Sequence, residues 1–392
     1  MSGIVTPSFK NDTINNLINE IGYTSNVYFV GFGRQESWDD ELAPPAPNNS
    51  VQSYIYQTYD SLLFGKRVSA EDVVPVIRKV VWTLNTVYDY FDHKDGSLLD
   101  KDFYVVNRYG RVYKCLFNNY GSQSTVEPNE TVVKTHFATA DGYIWKYMYS
   151  ITSRNSNKFT SNDYMPVVPN EDVTLNAERG ALHVIVVSNT GTGYISTSGL
   201  VQDVISDSIT SSTIKISNTD SSGSTGAYIN SRLYISSGDG VGTLGKVTDY
   251  VVNSSGKFIT SDADLGALST SSFYEIAPFV KIVGNGDDAQ AVATVNSTTT
   301  GVSAITVVSR GENYSQATVT ISANVEYGSG ATAYSIISPN GGHGADVAEE
   351  LGVSTIGLSI DTQPSDQFPD WANYRQAVSY THLRAHETLR YL

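Results

Sequence analysis

The chain has 392 residues, a formal net charge of -15 and a sequence pI of about 4.7. Its length predicts two or three domains rather than one. Because a nucleic-acid-binding surface needs a basic stripe and an anionic membrane repels an acidic chain, the charge argues against both of these partners.

The composition predicts a β-rich protein with a polar but weakly charged surface. Hydrophobic residues make up 40% and charged residues 17%, and there are 26 tyrosines. Cys115 is the only cysteine, so no disulfide can form within the chain. The first ten residues lack the pattern of a secretory signal. No apolar stretch approaches the length of about 18 residues that a membrane-spanning helix needs. We therefore expect a protein that is made and kept soluble in a cytoplasm.

The amino-terminal part predicts two helices among strands and a long loop. Apolar residues at helical spacing predict an amphipathic helix over residues 11–22, and residues 26–32 follow as a buried strand. Residues 33–49 form a loop stiffened by prolines, and Ser50 can cap a second helix. Residues 73–82 then predict an edge strand, because a proline within a strand cannot donate to a ladder.

A hairpin and one further strand complete this part. Residues 103–107 and 112–117 flank a polar turn at 108–111, which predicts a β-hairpin. Residues 143–151 predict a strand along which aromatic residues recur.

From about Ala181 the charge drops, and serine, threonine and glycine become frequent. Short β-branched runs alternate with turns, which predicts a sandwich or barrel-like insertion. There is also a weak internal repeat, because residues 186–194 resemble residues 307–314. Each copy predicts a strand, a glycine-containing turn and an anchoring tyrosine. The runs are residues 183–187, 213–216, 232–235, 246–252, 273–282, 291–295, 304–308, 317–321 and 333–337.

We therefore predict a mainly β protein with a minor α+β amino-terminal part, built on an antiparallel β-sandwich core with an all-β insertion rich in Ser, Thr and Gly. Residues 1–179 are expected to form the first domain and residues 180–340 the inserted domain. Residues 341–378 are expected to return to the core. Residues 379–392 are dense in Arg and His and fit no strand or turn pattern, so we interpret them as a non-native tail.

One glycine-rich motif matches the sequence pattern of a dinucleotide-binding site but lacks the secondary structure that such a site needs. Residues 240–245 spell the dinucleotide-binding pattern Gly-x-Gly-x-x-Gly. That chemistry needs a helix N-terminus directly after the loop. Residues 246–252 are instead β-branched, so we interpret the motif as a glycine-rich hairpin turn.

The metal-binding patterns are incomplete. His382 and His386 stand four apart, but the glutamate of a metalloprotease does not follow the first histidine. Acidic loops at residues 92–96, 262–264 and 285–288 could bind calcium, yet none completes the twelve-position loop. We interpret these loops as solvated turns and expect no cofactor and no metal.

The residues also offer no catalytic candidate. Residues 39–41, and Asp100 with Asp102, are acidic neighbours in sequence only, which does not give the opposed carboxylates of a glycosidase. Cys115 lies in an apolar run and is interpreted as a core residue rather than a nucleophile. The Gly-x-Ser-x-Gly elbow is absent. We therefore predict that the protein is not an enzyme.

Aromatic residues beside the strands could stack on sugars or contact other subunits. We favour subunit contact, because the tryptophans concerned lie within or beside predicted strands or the proline-rich loop. The predicted interface residues are Trp38, Pro44, Pro45, Trp82, Tyr143 and Trp145.

A collinear series of motifs runs from Tyr23 to Pro169. The motifs are Phe-Val-Gly-Phe-Gly-Arg at 29–34, Trp38, Ala-Pro-Pro-Ala-Pro at 43–47, Val74-Pro75 with Arg78 and Trp82, and residues 113–116, 126–128, 141–147 and 164–169. In this order the series resembles the dimeric baseplate wedge protein of T-even-type contractile phages, wedge protein eight. The resemblance implies a β-sandwich-based scaffold that dimerises within each wedge, contacts neighbouring wedge subunits and catalyses no reaction.

The resemblance stops at the inserted segment. The T-even protein lacks a counterpart of residues 181–340, and the chain is there more similar to the enlarged relatives of marine T-even-type phages. The resemblance implies a homodimer in the tail baseplate of a virion, assembled in the host cytoplasm, with other wedge subunits as partners. It implies movement as a rigid block when the baseplate rearranges, and no nucleic acid, membrane or small-molecule substrate.

Two alternatives from other classes stay open. The first is a receptor- or glycan-binding tail module, which saturable sugar binding by the isolated protein would favour. The second is a tail-associated glycosidase, which requires two opposed carboxylates in a cleft and turnover of a host polysaccharide.

Overall fold

The computed structural model describes residues 6–23, 25–33, 40, 43, 56, 62–205, 212–216, 221–324 and 326–359. This part of the chain is mostly β, and its sheets are antiparallel. Among these residues there is no helix with the length and apolarity that crossing a bilayer requires.

The chain divides into two compact units at positions that differ from the sequence prediction. One unit comprises Met1–Lys79, Ser150–Val168 and Leu351–Leu392, and the other comprises Val80–Tyr149 and Pro169–Glu350. The expected boundary near residue 179 therefore falls inside the second unit. Residues 80–149 belong with the long β part because buried side chains, given below, tie them to it.

The first unit opens with α1 (Pro7–Gly22), which begins earlier than predicted. Its start is set by Thr6, whose side chain accepts from Phe9 N at 3.2 Å, and by a proline in the first turn. Next, β1 (Tyr28–Gly33) pairs with β2 (Leu62–Val68) in a two-stranded sheet. The prediction of a buried strand here is wrong: Phe29 is 53% exposed, since two strands alone leave one face open.

A three-stranded sheet places β3 (Val73–Arg78) between β22 (Thr355–Leu358) and β8 (Tyr164–Pro166). The prediction of an edge strand is therefore wrong. The β3–β8 ladder begins at the residue after Pro75, and on its other side Pro75 pairs with Ile356 of β22. The Pro75 carbonyl still accepts from Val167 N at 2.8 Å.

The second unit contains a four-stranded sheet in the order β4 (Tyr104–Val106), β5 (Arg111–Asn118), β7 (Tyr143–Ser150) and β6 (Phe137–Ala138). The predicted hairpin is confirmed, because β4 and β5 pair antiparallel across the turn at residues 107–110. The strand predicted over residues 143–151 is confirmed as β7.

A six-stranded sheet curls until its two end strands, β9 (Leu182–Thr192) and β19 (Val302–Glu312), meet. Backbone hydrogen bonds join the two sides at each end of this seam, from Tyr194 N to Thr300 O at 2.8 Å and from Tyr314 N to Gly180 O at 3.2 Å. In sheet order the strands are β19 (Val302–Glu312), β18 (Asp287–Val295), β17 (Phe279–Gly284), β20 (Ala317–Ser322), β21 (Ser329–Ile337) and β9 (Leu182–Thr192).

The sheet is an internal duplication. One repeat consists of β9, β17 and β18, and the other of β19, β20 and β21. Strands β17 and β20 pair with each other at the centre, β18 and β21 flank them, and the first strand of each repeat pairs with the other repeat.

Backbone details recur at equivalent positions of the two repeats. Gly191 and Gly311 have φ of 60° and 61°, and a Cβ on either would lie 2.4 or 2.3 Å from a backbone oxygen of the paired strand. Tyr194 and Tyr314 follow these glycines and are buried. Their hydroxyls accept from backbone N–H groups of β21 and β18 at 3.2 and 3.4 Å. The repeat in the sequence therefore marks a repeated strand–turn–tyrosine structure.

A seven-stranded sheet is inserted into the first repeat, between Tyr194 and β17. Its edge strands, β10 (Thr197–Leu200) and β11 (Asp203–Ile205), follow each other in the chain. Val201 N donates to Ser272 O at 3.0 Å and Gln202 N to Lys215 O at 2.9 Å, so the sheet closes on itself around its own apolar core. In sheet order the strands are β10 (Thr197–Leu200), β16 (Phe273–Ala277), β13 (Arg232–Ser237), β14 (Leu244–Asn253), β15 (Gly256–Ser261), β12 (Thr213–Ile216) and β11 (Asp203–Ile205). The motif at residues 240–245 forms the turn between β13 and β14, and strand rather than helix follows it.

Short helices complete the described structure: α2 (Ser153–Phe159), α3 (Glu171–Leu175), α4 (Val347–Glu350) and the 3-10 turns Ala70–Asp72 and Leu98–Asp100. The segment predicted to return to the core after residue 340 contains α4 in the second unit and β22 in the first. The predicted proline-rich loop and second helix lie almost entirely outside the described residues, and residues 379–392 lie wholly outside them.

Candidate functional site

The predicted interface residues occupy different environments. Trp38, Pro44 and Pro45 lie outside the described residues. Trp82 is partly exposed, and its Nε1 donates to Ser124 Oγ at 3.0 Å. Of the six, Trp82 is therefore the residue that the structure describes at a surface.

Tyr143 and Trp145 belong instead to a buried aromatic layer. Both side chains are 0% exposed, and their rings stack with centroids 5.4 Å apart. Tyr88 meets Trp145 edge-on at 6.0 Å. The prediction that these two residues contact another subunit is therefore wrong. The strand that carries them is covered on both faces, so its aromatic alternation fills a core.

The opposite face of the same sheet buries two lysines. Lys114 in β5 is 0% exposed and Lys146 in β7 is 1% exposed. Strand alternation places Lys146 on the face opposite Trp145. A buried ammonium group is costly unless it is paired, so the neighbours of these lysines define the chemistry of this face.

Lys114 is held by a carboxylate, a histidine and an aromatic ring. Its Nζ donates to Glu350 Oε2 at 2.7 Å and lies 3.1 Å from His343 Nδ1. The centroid of the Phe91 ring is 3.9 Å from Nζ, which is a close cation–π contact. Glu350 Oε1 accepts from Gly344 N at 2.6 Å, so both carboxylate oxygens are used. These contacts fix residues 343–350 against the four-stranded sheet.

Three histidines continue from Lys114 towards the six-stranded sheet. The rings of His343 and His183 meet with centroids 5.1 Å apart. His183 Nδ1 lies 3.1 Å from His136 Nδ1, so one of these two nitrogens donates and the other accepts. Because His183 is in β9 and His136 adjoins β6, this chain of side chains connects the two sheets. It explains why residues 80–149 belong with the β part.

Lys146 and Arg310 add positive charge beside the histidines. Lys146 Nζ donates to Val133 O at 2.6 Å. Arg310, in β19, pairs with Glu178 at 2.9 Å and donates from Nη1 to Lys134 O at 3.2 Å. The Arg310–Lys134 contact also connects the six-stranded sheet with the segment that precedes β6.

Burial sets the protonation of this cluster. It lowers the pKa of His136 to about 4 and that of Lys146 to about 8, and in both cases the positive charge of Arg310 adds to the effect. Burial and neighbouring cationic groups lower the pKa of His183 and His343 well below the ordinary value. The three histidines are therefore neutral at pH 7 and act as hydrogen-bonding groups.

The cluster is a set of buried polar contacts that joins the four-stranded sheet to the six-stranded sheet. In the part of the chain that the structure describes, there is no group of three His, Cys, Asp or Glu residues that could hold a metal ion. Cys115 is buried as predicted, and burial raises the pKa of its thiol, so it has the character of a core residue.

Oxygens of the acidic loops accept hydrogen bonds from other groups of the protein. Asp95 binds Lys101 Nζ at 2.6 Å, and this bond with those from Ser97 lowers the pKa of Asp95 to about 2. Asn285 Oδ1 accepts from the backbone of residues 315 and 316 at 3.0 Å. The Ser97 bonds cap a turn, whereas the Asn285 bonds join two loops.

We expect the second unit to lose stability as the pH falls from 6.5 towards 4.5. Unfolded histidines take up a proton near pH 6.5, whereas His136, His183 and His343 stay neutral in the fold to lower pH. The unfolded state therefore binds more protons, and each such histidine lowers the free energy of unfolding by up to about 1.4 kcal/mol per pH unit. Urea unfolding at pH 7, 6 and 5 measures this slope. His136→Gln should reduce it, and a free energy that is constant over the window would contradict the neutral cluster.

Exposed apolar side chains gather where residues 81–87 meet residues 124–126. Ser124 exchanges backbone hydrogen bonds of 2.8 Å with both Asn85 and Thr86, so the two segments run side by side. Residues 81–87 contain no charged residue, and Trp82 lies within them. We call this surface the Trp82 patch. Its exposed members are between 36% and 60% exposed and are Val81, Leu84, Val87 and Val126.

No protein-family model and no curated protein matches the sequence. The function is therefore inferred from the geometry of this chain.

Sequence reasoning missed the lysine–histidine cluster, although a usable signal was present. Lys114, Lys146 and His183 each interrupt an apolar run that predicts a strand. A titratable residue in such a run is buried on a strand with two covered faces, so it needs a partner. The sequence does not identify that partner, because Glu350 and His343 lie more than two hundred positions from Lys114.

Proposed function

We propose that this protein is a structural, non-catalytic subunit of the baseplate wedge of a contractile phage tail, which assembles in the virion by binding a second copy of itself and other wedge subunits. The Trp82 patch is the observation that carries the proposal. An uncharged apolar surface on a chain of net charge -15 is the kind of surface that a protein partner covers.

The residues that carry the resemblance to wedge proteins support the proposal, because they hold the scaffold together. Residues 113–116 are all buried in β5. Asp141 accepts from Thr125 N at 2.7 Å, from Val126 N at 3.0 Å and from the Thr139 hydroxyl. A subunit that keeps its shape under load needs such fixed loops and covered sheets.

The patch proposal predicts a loss of self-association in charged variants. Leu84→Asp with Val87→Asp should raise the dissociation constant of the dimer at least tenfold, because each introduced carboxylate would have to be desolvated at the interface. Sedimentation velocity over a range of protein concentrations measures the constant.

The matched control is Leu175→Asp, since Leu175 is 82% exposed and lies outside the patch. It should associate as the unaltered protein does. An unaltered protein that stays monomeric at high concentration, or a control that weakens association as much as the patch variant, would argue against the patch.

Assembly is tested with the complete set of tail proteins from the same genome. The protein should sediment with assembled tails, and the patch variant should be depleted from them. If tails assemble normally without the protein, and the isolated protein shows saturable binding to host glycans, the receptor-binding alternative takes its place.

A further inference from the structure

A cleft of about 390 Å³ lies on the seam of the duplicated sheet. Strands β9 and β19 are the two ends of the sheet order, and backbone bonds join them at the ends of the seam rather than along it. Side chains and the β18–β19 turn therefore line the space between. The polar members of the lining are Tyr120, Ser188, Thr190, Asn296, Thr299 and Ser303.

The lining contains no charged residue, and six of its eight residues carry a hydroxyl or amide group, although apolar atoms form most of its exposed surface. Hydroxyl and amide groups donate and accept hydrogen bonds equally well, and neither an anion nor a cation finds a counter-charge among them. The volume falls within the range of small-molecule sites, roughly 300–1,000 Å³. A neutral ligand rich in hydroxyl groups matches this chemistry.

Tyr120 stands in an unusual backbone conformation beside the cleft. Asn119, Tyr120 and Gly121 have φ of 48°, 57° and 79°, which are three successive left-handed residues. A bulky residue is rarely found there, and such strain persists only where the surroundings hold it. Here Asn118 holds the turn, because its Oδ1 accepts from Gly121 N at 3.0 Å and its backbone oxygen accepts from Ser122 N at 3.2 Å.

The ring of Tyr120 packs on a neighbouring ring yet is accessible. It meets Phe117 edge-on with the two ring centroids 5.1 Å apart. The side chain nevertheless stays 57% exposed. A rigid aromatic ring beside neutral hydrogen-bonding groups can contact the C–H face of a sugar while those groups bind its hydroxyls.

We propose that this cleft binds neutral carbohydrate, with Tyr120 as the stacking platform and the hydroxyl and amide groups of β9 and of the β18–β19 turn as its hydrogen-bonding partners. The site is separate from the Trp82 patch and does not depend on the assembly role.

The test uses the full chain and three neutral probes: maltotriose, cellotriose and triacetylchitotriose, followed by a glycan array. We expect saturable binding of at least one probe in saturation-transfer NMR. Tyr120→Ala should weaken that binding at least tenfold. Tyr109→Ala should leave it unchanged, because Tyr109 is 61% exposed but lies outside the cleft.

Thr299→Val supplies a second variant in case Tyr120→Ala does not fold. It removes one lining hydroxyl, keeps the shape of the side chain and leaves the turn bond from the Thr299 backbone to Asn296 Oδ1. We expect binding to weaken severalfold. Binding to none of the probes or neutral glycans, binding of charged glycans alone, or unchanged affinity in a folded Tyr120→Ala or Thr299→Val protein would each overturn the proposal.

Discussion

Replacing Glu350 with glutamine is expected to lower the free energy of unfolding of the second unit by about 3–5 kcal/mol at pH 7. The change leaves the amide oxygen available to Gly344 N but removes the charge that faces Lys114 Nζ at 2.7 Å. Lys114 is 0% exposed, and its other polar neighbour is a neutral histidine. The ammonium group is then a buried charge without a counter-charge. Urea unfolding followed by tryptophan fluorescence measures the loss.

The double variant Lys114→Met with Glu350→Gln tests whether the cost of Glu350→Gln comes from leaving the Lys114 ammonium group without a counter-charge or from losing the hydrogen bond between the two side chains. Methionine fills a similar volume beside Phe91 and carries no charge, so most of the stability should return. Asp95→Asn is the comparison near the surface, because it breaks the Asp95–Lys101 pair and should cost far less than the loss of the buried pair. If Glu350→Gln is no more costly than Asp95→Asn, the buried pair does not stabilise the unit as we infer.

The strands were largely predictable from the sequence, because their signal is local. In the long β part, every predicted run from residue 183 onward except 273–282 falls within a single strand. The turn at residues 240–245 was also predictable, because β-branched residues follow the glycines. A run of residues 273–282 was predicted as one strand but forms two, β16 and β17, which belong to different sheets.

The features that were not predictable depend on distant residues. Pro75 lies in a central strand because the neighbouring β8 ends beside it, and Tyr143 is buried because both faces of β7 are covered. Neither the central position of Pro75 nor the burial of Tyr143 can be predicted from the residues that adjoin it in the sequence. The grouping of residues 80–149 with the β part likewise depends on His136 meeting His183 and on Lys114 meeting Glu350.

The duplication explains how a closed seven-stranded sheet can sit within the first repeat. In the second repeat, the anchoring Tyr314 is joined to β20 by Ser315 and Gln316 alone. At the equivalent place in the first repeat, Tyr194 is followed by residues 195–278. The ends of this insertion lie side by side, because Thr197 pairs with Ile276. An insertion with adjacent ends can be accommodated without separating the strands around it.

We therefore expect that replacing residues 195–278 with the dipeptide Ser-Gln leaves the six-stranded sheet folded. The insertion has its own apolar core, and of its buried residues Ala277 packs in the core of the six-stranded sheet. Its side-chain link to the neighbouring β20–β21 loop includes Asn324 Nδ2, which donates to Gly226 O at 2.7 Å. Removing the insertion should abolish one cooperative unfolding transition and keep the other, because each core is buried separately.

Hydrogen exchange of the shortened chain measures this outcome strand by strand. Amides of β9 and of β17–β21 should keep their protection, since their ladders and the Tyr194 and Tyr314 anchors are retained. Gly311→Val in the shortened chain is the destructive control. A side chain there meets the Asp287 backbone oxygen at 2.3 Å in a left-handed conformation, so protection should be lost. If the shortened chain without this change already loses its protection, the two repeats do not form an independent sheet, and the insertion is instead part of what holds them together.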